Sequence, residues 1–187
     1  MTRVSSSATG EPLRRFATLC DAAFKAVLAL YGFLPVRGMP RPHKFLGSRL
    51  YREGERYVRV SATTHPRDTP SRTTLVVGEG SHEFPESDWN SVALWQLEPV
   101  QVAEEPYLLG RVGQLPSLLR RMRADLERTA SDFLSGDLRR FRAVRSAVAQ
   151  SRSPYTIWRP MQSGKYLPVD DPESAALRSR YAAQAES

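Results

Sequence analysis

Cysteine is nearly absent from this chain: Cys20 is the single one in 187 residues. No disulfide can form within it, and a reducing compartment is compatible with that usage. Lysine is scarce too, since all but Lys25, Lys44 and Lys165 of the 27 basic residues are arginine. A net charge of +7 ordinarily invites a nucleic-acid or acidic partner. A GC-rich coding sequence produces the same arginine bias whatever the function, so the basicity permits such a partner without pointing to one. Long apolar runs are missing. The longest, Ala26 to Val36, is broken by Gly32 and Pro35 and falls short of the roughly 20 residues needed to cross a bilayer. Met1 to Gly10 is polar and Ser-rich with no apolar centre, unlike a secretory signal, so the expectation is a cytoplasmic protein. The common catalytic motifs are also missing. There is no Gly-x-x-x-x-Gly-Lys phosphate loop, no Gly-x-Ser-x-Gly elbow and no His-Glu-x-x-His, and Gly78-Glu79-Gly80 is too short for a dinucleotide loop.

What is present reads as one α+β domain. Leu13, Phe16, Cys20, Ala23, Phe24, Val27, Leu28 and Tyr31 recur at helical spacing and predict a helix over 12–31. Gly32 stands where a left-handed cap belongs, and Pro35 bars continuation. Cys20 falls on the apolar face, as a small hydrophobe rather than a nucleophile. Phe45 to Arg52 and Arg56 to Thr63, separated by Glu53-Gly54-Glu55, read as a β-hairpin. Thr73 to Val77 is β-branched enough for a third strand, and Ser91 to Leu97 is either a fourth strand or a helical turn. Glu98 to Gly113, with two prolines and two glycines, is expected to be irregular. Leu115, Leu118, Leu119, Met122, Leu126, Ala130 and Phe133 predict a helix ended by Gly136. Asp137 then caps another that carries Leu138, Phe141, Val144 and Val148.

The predicted fold class is α+β in two layers: an N-terminal helix, an antiparallel sheet of three or four strands, then a C-terminal helical pair. The expected organisation is a disordered N-terminus at 1–10, one domain at 11–158, and a C-terminal extension at 159–187 with a short helix starting near Asp170-Asp171-Pro172. Tyr155 to Trp158 either adds to the sheet or seals the core.

Three kinds of site are open. Two loops, Thr64 to Pro70 and Gly78 to Asn90, hold the densest set of polar and aromatic residues. In an antiparallel meander they leave opposite ends of the sheet. A metal reading pairs His82 with Glu83, or His65 with Asp68, but no ligand triad has a recognised spacing. An acid–base reading sets Glu79 and Asp88 beside Trp89 and Trp95, where burial would raise a carboxylate. A nucleic-acid reading uses Arg120, Arg121, Arg123, Arg139, Arg140, Arg142 and Arg145, interspersed with Asp125, Glu127, Asp132 and Asp137. Separately, Arg49, Arg52, Arg56 and Arg59, flanked by Tyr51 and Tyr57, suggest a basic docking face on the sheet if helices cover only its other side.

The pair Gly32-Phe33 at a helix end, followed by Arg49-x-Tyr51 and Arg56-Tyr57-Val58 in the hairpin, resembles a class of uncharacterised bacterial α+β domains. Some of these are immunity proteins of polymorphic-toxin systems. The similarity runs from Phe24 to Leu97 and carries no catalytic motif. It implies a protein partner. Because this chain is basic where immunity proteins against nucleases are acidic, it implies an acidic or non-nuclease target.

The leading expectation is therefore a non-enzymatic protein-binding domain, immunity- or inhibitor-like. Arg67, Glu79, His82, Asp88, Trp89 and Arg59 are its contact residues, and no catalytic residue, metal or cofactor is assigned. The alternatives are an enzyme with a loop-borne acidic or metal site and a nucleic-acid-associated basic protein.

Overall fold

The computed structural model describes residues 15–36, 46–63, 71–80, 90–98, 107–109, 112–151, 157–160 and 166–169. The first helix, α1 (Phe16–Ala29), buries Phe16, Cys20, Phe24 and Leu28, one residue per turn along one face. It stops where expected. Gly32 has φ +84°, the left-handed backbone that an L side chain resists. Its N–H donates to the Ala29 carbonyl at 3.1 Å, and the Phe33 N–H donates to Leu28 at 3.0 Å. These two bonds form a Schellman cap, and Phe33 and Leu28 both enter the core.

The main sheet is wholly antiparallel, in the order β1 (Leu34–Pro35), β2 (Leu46–Glu53), β3 (Arg56–Thr63), β4 (Ser71–Glu79) and β5 (Ser91–Ala93). A further strand, β6 (Leu108–Leu109), pairs with the start of β4. The β2–β3 turn is Gly54-Glu55, where Gly54 alone has positive φ, at 54°. Gly at the first of two turn positions suits the twist of a hairpin. The sheet is larger than the three or four strands expected because the two-residue strands β1 and β6 are too short to leave a period-two signature. The segment from Ser91 resolves into both alternatives, β5 followed by a 3₁₀ turn at Leu94–Leu97. The stretch expected to be irregular contributes β6 and a 3₁₀ turn at Val112–Gln114.

The helical half differs at one point. The periodicity predicts one helix up to Gly136, but α2 (Leu115–Thr129) ends at Ala130, whose φ is −120° and ψ 25°, and α3 (Ser131–Ser135) follows. Two interactions hold the break. Arg140 donates to the freed Thr129 carbonyl, and the Asp132 carboxylate accepts the Phe133 N–H at 2.9 Å. Both breaks in the helical run come without loss of the apolar stripe, so periodicity could not reveal the first. Gly136 caps α3 in the left-handed region. Asp137 then accepts the Arg139 N–H at 3.1 Å at the start of α4 (Arg139–Ser151), as the sequence predicts.

One core joins the helices to one sheet face. It gathers the apolar face of α1 with Tyr51, Val58, Val60, Ala62, Leu75, Val77 and Val92 from the strands, and Leu119, Met122, Leu126, Phe133 and Phe141 from the helices. The two-layer α+β arrangement stands. Beyond it, β7 (Ile157–Pro160) and β8 (Tyr166–Val169) form a separate two-stranded antiparallel sheet. Of the segment Tyr155 to Trp158, the described residues Ile157 and Trp158 therefore pair with β8 and not with the main sheet. The N-terminal ten residues and the expected last helix lie outside the described residues. No helix among the described residues is long and apolar enough to cross a membrane.

Candidate functional site at the Glu79 end of the sheet

Alternation along β2 and β3 sorts the hairpin arginines onto two faces. Arg49 and Arg56 fall on the helical side. Arg49 forms a two-pronged contact with Asp21 of α1, Nε to Oδ1 at 2.8 Å and Nη2 to Oδ2 at 2.7 Å, and a third bond to the Val36 carbonyl at 3.1 Å. Tyr51 donates to the same carboxylate at 2.9 Å. The hydrogen bond to Asp21 raises the Arg49 pKa against partial burial, and burial pushes the Tyr51 phenol up. The cluster is thus a saturated staple between helix and sheet. Arg56 donates to the Phe133 and Leu134 carbonyls at 2.6 and 2.8 Å and to Glu53 at 2.9 Å. Those carbonyls lie in the last turn of α3, where intrahelical donors run out; the Phe133 carbonyl also accepts the Gly136 N–H at 3.1 Å.

Arg52 and Arg59 lie on the other face, but it is not the broad exposed basic surface expected. Leu50, Tyr57, Val76 and Ala93 form a second buried cluster there, with Tyr57 at 0% exposure. Arg59 is half-buried and donates to Ser48 at 3.0 Å. Arg52 lies over the Tyr57 ring at 5.5 Å and donates to the Gly80 carbonyl at 2.8 Å. Paired arginines fix the face instead of leaving it free.

The pairing register places Glu79 opposite Arg56 at one end of β4, and Arg72 opposite Thr63 at the other. At about 3.4 Å per residue, these ends are separated by about 24 Å. Arg67 belongs to the segment after Thr63, so the structure sets its point of departure apart from Glu79. Arg67, His82, Asp88 and Trp89 lie outside the described residues, as do both histidine–carboxylate pairs of the metal reading. Among the described residues, no three of His, Cys, Asp or Glu come together as metal ligands.

What the structure does bring together is the base of the segment 81–89. The chain departs at Gly80 and returns at Asn90, and the two points are tied. The Glu79 N–H donates to the Asn90 carbonyl at 3.0 Å, the Gly80 N–H to the Glu55 carbonyl at 2.9 Å, and the Tyr57 hydroxyl to Asn90 Oδ1 at 2.8 Å. Asn90 is fully buried, where an unpaired amide would be costly. Beside it, Glu79 accepts from Arg142 of α4 at 2.5 and 3.1 Å. This bond holds the carboxyl below its ordinary range, with the Arg145 charge adding and burial opposing. The acid–base reading needs a raised carboxylate, and Glu79 shifts the other way. Tyr57 and Asn90 were legible only as a strand aromatic and a loop polar residue; the register is what joins them.

The arginines of the nucleic-acid reading are largely committed. Arg123 sits 3.4 Å from Glu127, Arg139 2.6 Å from Asp137, Arg140 2.7 Å from Asp132 and Arg142 2.5 Å from Glu79. Arg121 lies over the Tyr107 ring at 5.5 Å and 3.8 Å from Asp125, Arg145 lies over Phe141 at 5.8 Å, and Arg120 is exposed. Carboxylates already neutralise most of the charge that phosphates would need to meet. Comparison with protein-family models, with curated proteins and with solved structures finds no match for this chain.

Proposed function

We propose that the chain is a non-enzymatic protein-binding domain of the inhibitor or immunity kind, engaging its partner at the end of the sheet where residues 81–89 depart and return. The observation that carries this reading is the tied base at Gly80 and Asn90. Binding residues are commonly borne on connections that a rigid scaffold positions, and this connection has both feet on the sheet. Its composition suits an interface. Residues 81–89 include Phe84, Trp89, Glu83, Glu86 and Asp88 with no Lys or Arg, the reverse of the chain's overall sign. Contact with a basic protein surface that has room for aromatic side chains follows from that chemistry. Overall charge argues for an acidic target, but the segment at the contact decides, and it is acidic.

A further feature lies along the same row of the sheet. Leu34, 66% exposed, is in register with Arg52, Tyr57 and Gly78, about 14 Å from Gly78 at the usual strand spacing. That separation fits within one standard interface, which covers roughly 800 Å² per partner.

The test is site-specific photo-cross-linking, because three lysines are too few for amine reagents. A photoreactive residue is placed at His82 or Trp89, with Arg120, exposed on α2, as control. The expected result is one stoichiometric adduct from positions 82 and 89, none from 120, and loss of the position-82 adduct in Trp89→Ala with the melting temperature unchanged. Adducts spread equally over all three positions, or none under gentle conditions, would overturn the reading.

A further inference from the structure

We draw no further inference here: the strongest candidate, the exposed apolar face of α1 that runs through Ala22, Ala26 and Ala29 to Leu30, carries nothing because nothing in the structure shows what covers it.

Discussion

Tyr57 and Gly78 stand opposite each other on β3 and β4, so close that a Cβ on Gly78 would lie 2.1 Å from the Tyr57 ring carbon that carries the hydroxyl. The missing side chain is what lets the ring lie across β4 and reach Asn90 at 2.8 Å. Gly78→Ala should therefore displace a fully buried ring, at a cost of about 2–3 kcal/mol as for other overpacked cores. Tyr57→Phe keeps the ring and removes the donor, leaving Asn90 Oδ1 without that bond, and should cost about 1–2 kcal/mol. Urea unfolding of the two variants checks the order. A Gly78→Ala protein as stable as the parent would show that the ring is not held there.

Asp21 holds two partners from β2, so its removal should cost more than a surface ion pair. Arg49 is 16% and Asp21 30% exposed at the side chain, and hydrogen bonds to charged groups are worth about 1.5–3 kcal/mol. Asp21→Ala is expected to fall in that range after discounting for partial exposure. Arg49→Lys keeps the charge but cannot reproduce the planar fork, and should recover less than half of the loss seen in Arg49→Ala. A double-mutant cycle over Asp21 and Arg49 should show coupling above about 0.5 kcal/mol. Additive single effects would mean that the two residues act separately.

The elements that sequence reasoning located are those with their own local signal. The α1 periodicity, the Gly32 cap, the Gly54 turn and Asp137 all act within a few residues of themselves. What it could not locate depends on pairing between distant segments. The strands β1 and β6 exist only because β2 and β4 offer partners, and the α2 break at Ala130 is held by Arg140, ten residues on. The docking face failed for a related reason. Alternation says which arginines share a face, but not that Leu50, Tyr57 and Val76 on that face are buried. At the site, Glu79 was legible as the end of a strand. Its bond to Arg142, 63 residues away, was not.

Cys20 offers a probe of how firmly α1 is docked. It is fully buried, and burial, with Asp21 adding, pushes its thiol up. Alkylation requires an accessible thiolate, so native protein should resist iodoacetamide at pH 8 and react fully in denaturant. Its labelling rate should rise in Asp21→Ala by the factor matching the stability lost, about tenfold per 1.4 kcal/mol, if the helix opens only with the whole domain. Native labelling at the speed of a free thiol would show that α1 separates from the sheet on its own.

The Glu79–Arg142 pair ties α4 to the base of the proposed binding segment, and its pH dependence has a definite sign. Arg142 holds the folded-state carboxyl below its ordinary value of 4.5. A carboxyl lowered by folding stabilises the protein fully above its unfolded pKa, and that contribution is lost as pH falls through the lower folded value. Glutamine imitates the protonated acid. Glu79→Gln should thus be less stable than the parent at pH 7, by no more than about 1 kcal/mol because Arg142 is largely exposed. The difference should hold from pH 7 to 5, then shrink below 4.5 as the parent protonates. Urea midpoints of both proteins at pH 6 and pH 3 measure it. A gap that persists or widens at pH 3 would show that the glutamine disturbs packing rather than removing a charge. In that case Glu79 would anchor α4 by shape, and not through its bond to Arg142.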